Sequence, residues 1–148
     1  MSNERQFCTF YLNGLYFGID VLKVQEVIRL QAMTRVPLAA TAVRGLINLR
    51  GQIVTALDMR RRLDMPDRAA DHSPVNVVVN TDDGAVSLLV DEIGDVIDAT
   101  GTSFEHPPET LRGPARELIR GAYKLDDQLL LVLDTERTVA LTAEARRA

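Results

Sequence analysis

Any chemistry this chain performs would have to come from a short set of side chains: one cysteine, two histidines, a run of acids and a cluster of arginines. His72 and His106 each sit in a proline-containing stretch with no histidine or cysteine at metal-ligand spacing, so both read as exposed loop residues. Cys8 falls in an alternating segment with no nucleophile motif around it, and a thiol buried in the core is the expectation. Asp91, Glu92, Asp95 and Asp98 are closely spaced but lack the alternating ligands and central glycine of a calcium loop. They read as a solvated acidic edge. No G-x-G-x-x-G follows a strand, and there is no Walker sequence, G-x-S-x-G or H-E-x-x-H. No metal, cofactor or catalytic group is expected, which shifts the balance from an enzyme to a binding module.

The arginines are the remaining candidates. They gather at Arg44, Arg50, Arg60, Arg61 and Arg62, and the first two open Arg-Gly pairs in "RGLINLRGQ". A local basic patch would suit a nucleic-acid-binding β-barrel. A net charge of −4 and a pI of about 5.2 weigh against it, because phosphate-backbone binding needs a clustered excess of cations. A solvated face beside acidic neighbours is the competing reading.

The elements that must position these residues are mostly short strands. The 148 residues are 46% apolar, enough for one domain with a real core. No apolar run is long enough to span a bilayer, no signal peptide is evident, and a single cysteine fits a reducing compartment, so a cytoplasmic protein without direct membrane insertion is expected. "FCTFYLNGLYFGIDV" reads as a hairpin turning at Asn13-Gly14, since both residues accept the positive φ of a type I′ turn. "LKVQEVIRL" fits a short helix or an irregular strand equally well. Strands are expected at 52–57, at 75–81, after the turn at 82–84, and at "QLLLVLDT"; Pro-bearing loops are expected at 33–43 and 105–117. "ERTVALTAEARRA" reads as helical. The fold class is all-β, or β-dominated, built as a barrel or barrels.

The chain also repeats itself. At an offset of 76, "VRGLINLRGQIVTALDMRRRL" (43–63) lies over "IRGAYKLDDQLLLVLDTERTV" (119–139) with seven identities in 21 positions, among them Arg44/Arg120, Gly45/Gly121 and Asp58/Asp134. At an offset of 69, "FGIDVLKVQEVI" (17–28) lies over "VSLLVDEIGDVI" (86–97) with matching apolar positions. Two related subdomains are expected, 6–63 and 75–139, joined by a linker at 64–74 and followed by a helical tail at 140–148, with exchange of strands between the subdomains allowed for. Each is small for a core of its own, so a shared apolar interface should join them, with a groove between. Gly45 and Gly121 are expected to supply a backbone angle that residues with a Cβ resist. Arg50-Gly51 has no repeat, because the second copy carries Asp126-Asp127 there. Arg50 is therefore either a recognition residue or part of a merely different turn. The stripe Val21, Val24, Val27 and Ile28 is either core or an apolar groove for a partner helix, with Glu26 and Arg50 at its rim.

At "GIDVLKVQEVI", "VRGLINLRGQIVTALDMRRRL", "LLVDEIGDVID" and "LIRGAYKLDDQLLLVLDTERTV" the sequence resembles the CheW family of bacterial chemotaxis adaptors, over about residues 6 to 140. The resemblance implies a single CheW-like domain across residues 1–148, made of two SH3-like five-stranded β-barrels around a shared core, with short helical pieces and a C-terminal helix. It implies a non-enzymatic scaffold that couples chemoreceptor cytoplasmic tips to the regulatory domain of the histidine kinase CheA, recruited to membrane-associated arrays. A CheW-like module in a non-flagellar chemosensory pathway is the alternative. Carried over by position, the receptor-facing groove would include Val21, Val24, Glu26, Val27 and Arg50, closed by Ile93. The kinase contacts would lie near Val36, Leu38 and Val43 at one end, and at Glu109 and Thr110 at the ring-forming other. Some members place an aromatic where Thr110 stands; a threonine buries less area, implying a weaker or shifted ring contact.

Overall fold

The structure is a computed structural model, and it describes residues 5–140. Eleven strands occur among them: β1 (Gln6–Leu12), β2 (Leu15–Asp20), β3 (Val24–Arg29), β4 (Val43–Leu49), β5 (Gln52–Asp58), β6 (Val75–Thr81), β7 (Gly84–Val90), β8 (Glu92–Asp98), β9 (Phe104–Glu105), β10 (Ile119–Lys124) and β11 (Leu129–Leu133). Three short helices accompany them: α1 (Met59–Arg62), α2 (Pro114–Leu118) and α3 (Thr135–Val139). Residues 22–30, ambiguous from their pattern, become a 3-10 turn over Val21–Lys23 and then strand β3. The proline-rich stretch 105–117 runs into α2, with Pro114 at its first turn, where the missing N–H costs nothing. Of the tail expected at 140–148, all but Ala140 lies outside the described residues.

Two sheets result, in the orders β8-β1-β2-β11-β10-β9 and β3-β6-β7-β5-β4. Each takes strands from both halves of the chain. The contiguous spans 6–63 and 75–139 therefore do not coincide with the sheets. The exchange is reciprocal: β5 pairs in parallel with β7, Thr55 opposite Val86, and β11 pairs in parallel with β2, Leu131 opposite Phe17. These two registers are related by the sequence offsets of 76 and 69. The sheet orders also match element for element, and β9 corresponds to a single bridge between Thr34 and Leu46 on the other sheet. The chain is thus a two-fold repeat in which neither copy completes its sheet alone.

Strand alternation explains where the core lies. In β1 and β2 the residues Cys8, Phe10, Leu12, Phe17 and Ile19 face the interior between the sheets; in β6 and β7, Val77, Val79, Val86, Leu88 and Val90 face the same interior. Phe7, Tyr16, Tyr123, Leu130 and Val132 form a second cluster within the six-stranded sheet. Ile47, Leu49, Val54, Val78 and Ala85 form a third within the five-stranded one, and Ile28 of the edge strand β3 packs against that cluster. Cys8 is buried in the shared core, and burial pushes its thiol pKa up.

Both copies end in a capping aspartate. The N–H of Asp58 donates to the carbonyl of Ala42, and that of Asp134 to the carbonyl of Leu118. Each aspartate then caps the helix that follows, Asp58 accepting from the N–H of Arg60 and Asp134 from that of Arg137.

The repeated glycines have a different purpose from the one expected. The ladder shifts register between Val43 and Gly45 and again between Ile119 and Gly121, so both sit at bulges. Gly121 has no positive φ and Gly45, at 159°, is close to extended. Close approach explains them instead. A Cβ on Gly45 would stand 2.7 Å from the carbonyl oxygen of Thr34, and one on Gly121 would stand 2.6 Å from that of Glu105 and collide with the Phe104 ring. In each copy a crossing segment is laid against the bulge. Gly45→Ala and Gly121→Ala should each cost about 1–3 kcal/mol through overpacking, measured as a lower urea midpoint with unchanged slope. Equal midpoints would show that the crossing segments yield freely.

Candidate interaction surface

Arg50 and Gly51 form the two-residue turn between β4 and β5, with Leu49 paired to Gln52. Both lie in the left-handed region, at φ of 53° and 86°. The same geometry occurs at Asn13-Gly14, at 50° and 80°, where the sequence supplies the preferred asparagine. A left-handed residue with a Cβ costs on the order of 1–2 kcal/mol, and arginine has no short side chain to offset it locally. Asn48 helps by accepting a 2.8 Å hydrogen bond from the N–H of Gly51. The corresponding loop of the other sheet closes through the N–H of Leu125 and the carbonyl of Gln128, and neither Asp126 nor Asp127 has a positive φ. The two turns match in length and differ in hand, and the turn at 50–51 does not itself call for arginine.

Its side chain reaches across the barrel opening to β3. Both terminal nitrogens donate to the carboxylate of Glu26, at 2.7 Å each, while Arg50 remains 72% exposed. The fork geometry fixes the guanidinium plane. Hydrogen bonds from Arg50 and then Gln25 hold the Glu26 carboxyl below the usual glutamate range. The pair joins the two edge strands of the five-stranded sheet at the surface, above the Ile28 packing.

The other residues expected around this pair are distributed as follows. Val21 lies in the 3-10 turn, half-buried, and Val24 packs against the shared core. A register shift between Val24 and Glu26 in the pairing with β6 changes the alternation along β3, and Val27 emerges 42% exposed. Ile93 stands on β8, the edge of the other sheet, opposite Phe10 and 40% exposed. The structure thus brings Glu26 and Arg50 into contact, aligns Val21, Val24 and Val27 along the adjoining segment, and sets Ile93 on a separate sheet edge at the position that corresponds to Val24.

Of the residues expected at the barrel ends, Leu38 is fully exposed at a φ of 63°, and Val36 is partly buried and packs against the shared core. Val43 is a correction. At 9% exposure it belongs to the shared core, because the first residue of β4 pairs with buried Leu57, so its side chain presents no surface to a partner. Glu109 and Thr110 are exposed in the loop before α2, and Thr110 borders a cleft of about 310 Å³ whose walls include Leu15, Leu111 and Leu129.

The basic cluster is engaged within the protein. Arg44 lies 3.5 Å from Asp58, and Arg61 lies 3.2 Å from Asp67. Arg62 donates to the carbonyls of Thr138 and Arg137 at the end of α3. Arg60 donates to Asp91 at 2.6–3.1 Å. The arginines do not form the free cationic array that a nucleic-acid backbone needs.

Asp91 is the second correction, because it is buried and not part of a solvated edge. It also accepts from Arg68 at 2.8 Å and from the N–H of Asn13 at 2.8 Å; Arg68 goes on to Asp58 and the carbonyl of Leu89. Burial raises the Asp91 pKa, but the hydrogen bonds from Arg60 and Asn13 and the charge of Arg68 outweigh it and leave the carboxyl below the usual range. The network ties the stretch at 64–74, the first hairpin and the start of β8 together. Nothing in the sequence near Arg68 marked it, whereas the identity of Asp58 and Asp134 was a usable signal for the shared cap.

Two interlocked β-sheets with a conformationally costly, exposed arginine turn define a binding domain of the paired-barrel class. Comparison with known proteins specifies it further. The CheW-like domain family matches residues 6–142, and the chain belongs to that family. A chemotaxis protein CheW of Klebsiella aerogenes is 30% identical over 136 residues, covering 92% of this chain and 82% of its own. One from Bacillus subtilis is 30% identical over 134 residues, covering 90% and 86%. The crystal structure of scaffolding protein TtCheW from Thermoanaerobacter tengcongensis superposes with a TM-score of 0.78 at 26% identity, covering 88% of this chain and 89% of that one.

Two measurements test this geometry. By carbon-detected NMR, Glu26 should titrate below ordinary glutamate in the native protein and return toward the usual range in Arg50→Ala; an unmoved titration would show that the fork does not persist in solution. Asp91→Asn should cost on the order of 3 kcal/mol at neutral pH, because it unbalances a buried ion network. The native pKa of Asp91 is depressed, so its contribution is present above the unfolded carboxylate range and is lost as pH falls through the native value. The gap between wild type and Asp91→Asn in thermal unfolding should therefore close on acidification.

Proposed function

We propose that this chain is a non-enzymatic cytoplasmic adaptor that couples chemoreceptor cytoplasmic tips to a CheA-type histidine kinase within membrane-associated arrays. Membership of the CheW-like family across almost the whole chain supports this reading, as does the whole-length likeness to a protein described as scaffolding. No helix among the described residues is long and apolar enough to cross a membrane, so recruitment would run through partners. The observation that carries the reading is Arg50: an unrepeated arginine held in a left-handed turn, clamped by Glu26 and still exposed. A residue kept where its backbone is disfavoured marks a functional position.

On this reading the receptor helix lies along β3. Val27, with Val21 and Val24, receives its apolar face; the Glu26–Arg50 fork sets its register through the guanidinium hydrogens that Glu26 leaves free. Ile93 flanks the groove from the other sheet. The kinase domain would meet Leu38 and Val36, and at the other contact Glu109 and Thr110. Val43 drops out of that surface and acts as packing beneath it.

Arg50→Ala should weaken binding to a receptor-tip helical peptide about tenfold, the loss typical of an exposed-arginine anchor, with the cooperative unfolding transition preserved. Isothermal titration and thermal melts on the same preparations check this. Unchanged affinity, or loss of the folded state, would count against the assignment.

A further inference from the structure

Among the described residues two hairpin turns are left-handed at both central positions, Asn13-Gly14 and Arg50-Gly51. They are held in different ways. At the first, asparagine itself takes this backbone readily, and its N–H donates to Asp91 at 2.8 Å. At the second, arginine brings no such preference. Nor does packing press the turn into shape, since a Cβ on Gly51 would meet no atom within 4 Å. The side chain that holds this turn's backbone is Asn48, whose Oδ1 accepts from the N–H of Gly51 at 2.8 Å.

The second copy supplies the contrast. By the offset of 76 the counterpart of Asn48 is Lys124, whose side chain has no acceptor. The loop there closes from Leu125 to Gln128, with no left-handed residue at Asp126 or Asp127. The side-chain acceptor and the left-handed hand are thus present together in one copy and absent together in the other. A loop of the same length between equivalent strands has another conformation open to it, and something local must select between the two.

We infer that Asn48 is a positioning residue for Arg50: its carboxamide holds the turn in the left-handed form, and that form aims the arginine at Glu26 while leaving it open to a partner. The hand of the backbone at residue 50 sets the direction in which its Cβ leaves the turn. From that direction both terminal nitrogens reach the Glu26 carboxylate at 2.7 Å. Glu26 fixes the guanidinium plane once the side chain has been delivered, but it lies on β3, whose ladder runs to β6 and not to β4. Asn48 stands on β4 beside the turn, paired with Ile53 and exposed. Its bond therefore acts locally, on the conformation of the turn, and contributes little to the core. That Arg50 then meets a receptor helix rests on the function proposed above; the aiming does not.

Three NMR and binding measurements on the full chain test this. The one-bond Cα–Hα coupling of Arg50 reports the sign of its φ, and the Glu26 titration reports the fork. In Asn48→Ala the coupling should move toward that of a right-handed residue, and the Glu26 titration, depressed in the native protein, should rise toward the ordinary glutamate range. Asn48→Asp keeps an acceptor of the same reach and should retain the left-handed coupling. Against a receptor-tip helical peptide, Asn48→Ala should weaken binding about fivefold, the worth of one hydrogen bond between neutral groups. Added to Arg50→Ala it should cause no further loss, because the two changes then act through one side chain. Cooperative unfolding should persist in every variant. An Arg50 coupling and a Glu26 titration unmoved by Asn48→Ala would overturn the inference. So would loss of cooperative unfolding in that variant, or an equal loss of affinity with and without Arg50, which would make Asn48 a contact residue in its own right. If Arg50→Ala leaves peptide affinity unchanged, the receptor reading of the turn fails, while the coupling and the titration still decide the positioning.

Discussion

Four strand pairs, the parallel β5 with β7 and β2 with β11 and the antiparallel β1 with β8 and β3 with β6, carry the connection between the halves of this chain. Each pair joins a strand of one copy to a strand of the other, and the shared core is assembled from both sheets' inward faces. Because the copies are too small for separate cores, neither sheet has an independent existence. The other features follow from that constraint. The caps at Asp58 and Asp134 end the crossing strands, the glycine bulges admit the segments that cover β4 and β10, and the Asp91 network pins the intervening stretch.

A fold fixed in this way leaves its turns free to diverge. The clearest case is the loop between the last two strands of each copy. In one it is Asp126-Asp127 without left-handed residues; in the other it is Arg50-Gly51, left-handed at both positions. The core is indifferent to that choice, since Leu57 and Leu133 are buried alike on either side of it. What distinguishes the arginine turn is its reach to Glu26, which joins the edge strands of a sheet at a point still open to solvent. A salt bridge so exposed adds little to stability. Its consequence is orientation.

The sequence was legible where the physics is local or repeated. The Asn13-Gly14 hairpin follows from φ alone, and the two offsets map the register of one parallel pair onto that of the other. It was less legible where distant residues decide the outcome. Gly45 and Gly121 were correctly singled out but for the wrong reason, because the atoms that exclude a Cβ belong to Thr34 and Glu105, far along the chain. Val43 looked like a loop-end contact because its burial depends on both sheets. Asp91 looked like one acid among several until Arg60 and Arg68 were placed around it. Residues 22–30 kept two readings open because β3 takes its alternation from a register shift against β6 that no local pattern encodes.

Repetition also bears on what the surfaces are for. Two copies derived from one pattern should present equivalent surfaces unless something has made them differ. Val24 is part of the shared core's periphery, while its counterpart Ile93 is exposed; Arg50 is cationic, while its counterpart Asp126 is anionic. The two ends of the molecule therefore cannot bind the same partner in the same way. An adaptor needs that asymmetry, since it must hold two unlike proteins at once, and a two-fold scaffold reaches it with few changes: a turn of opposite hand, one exchanged charge and one edge residue left uncovered.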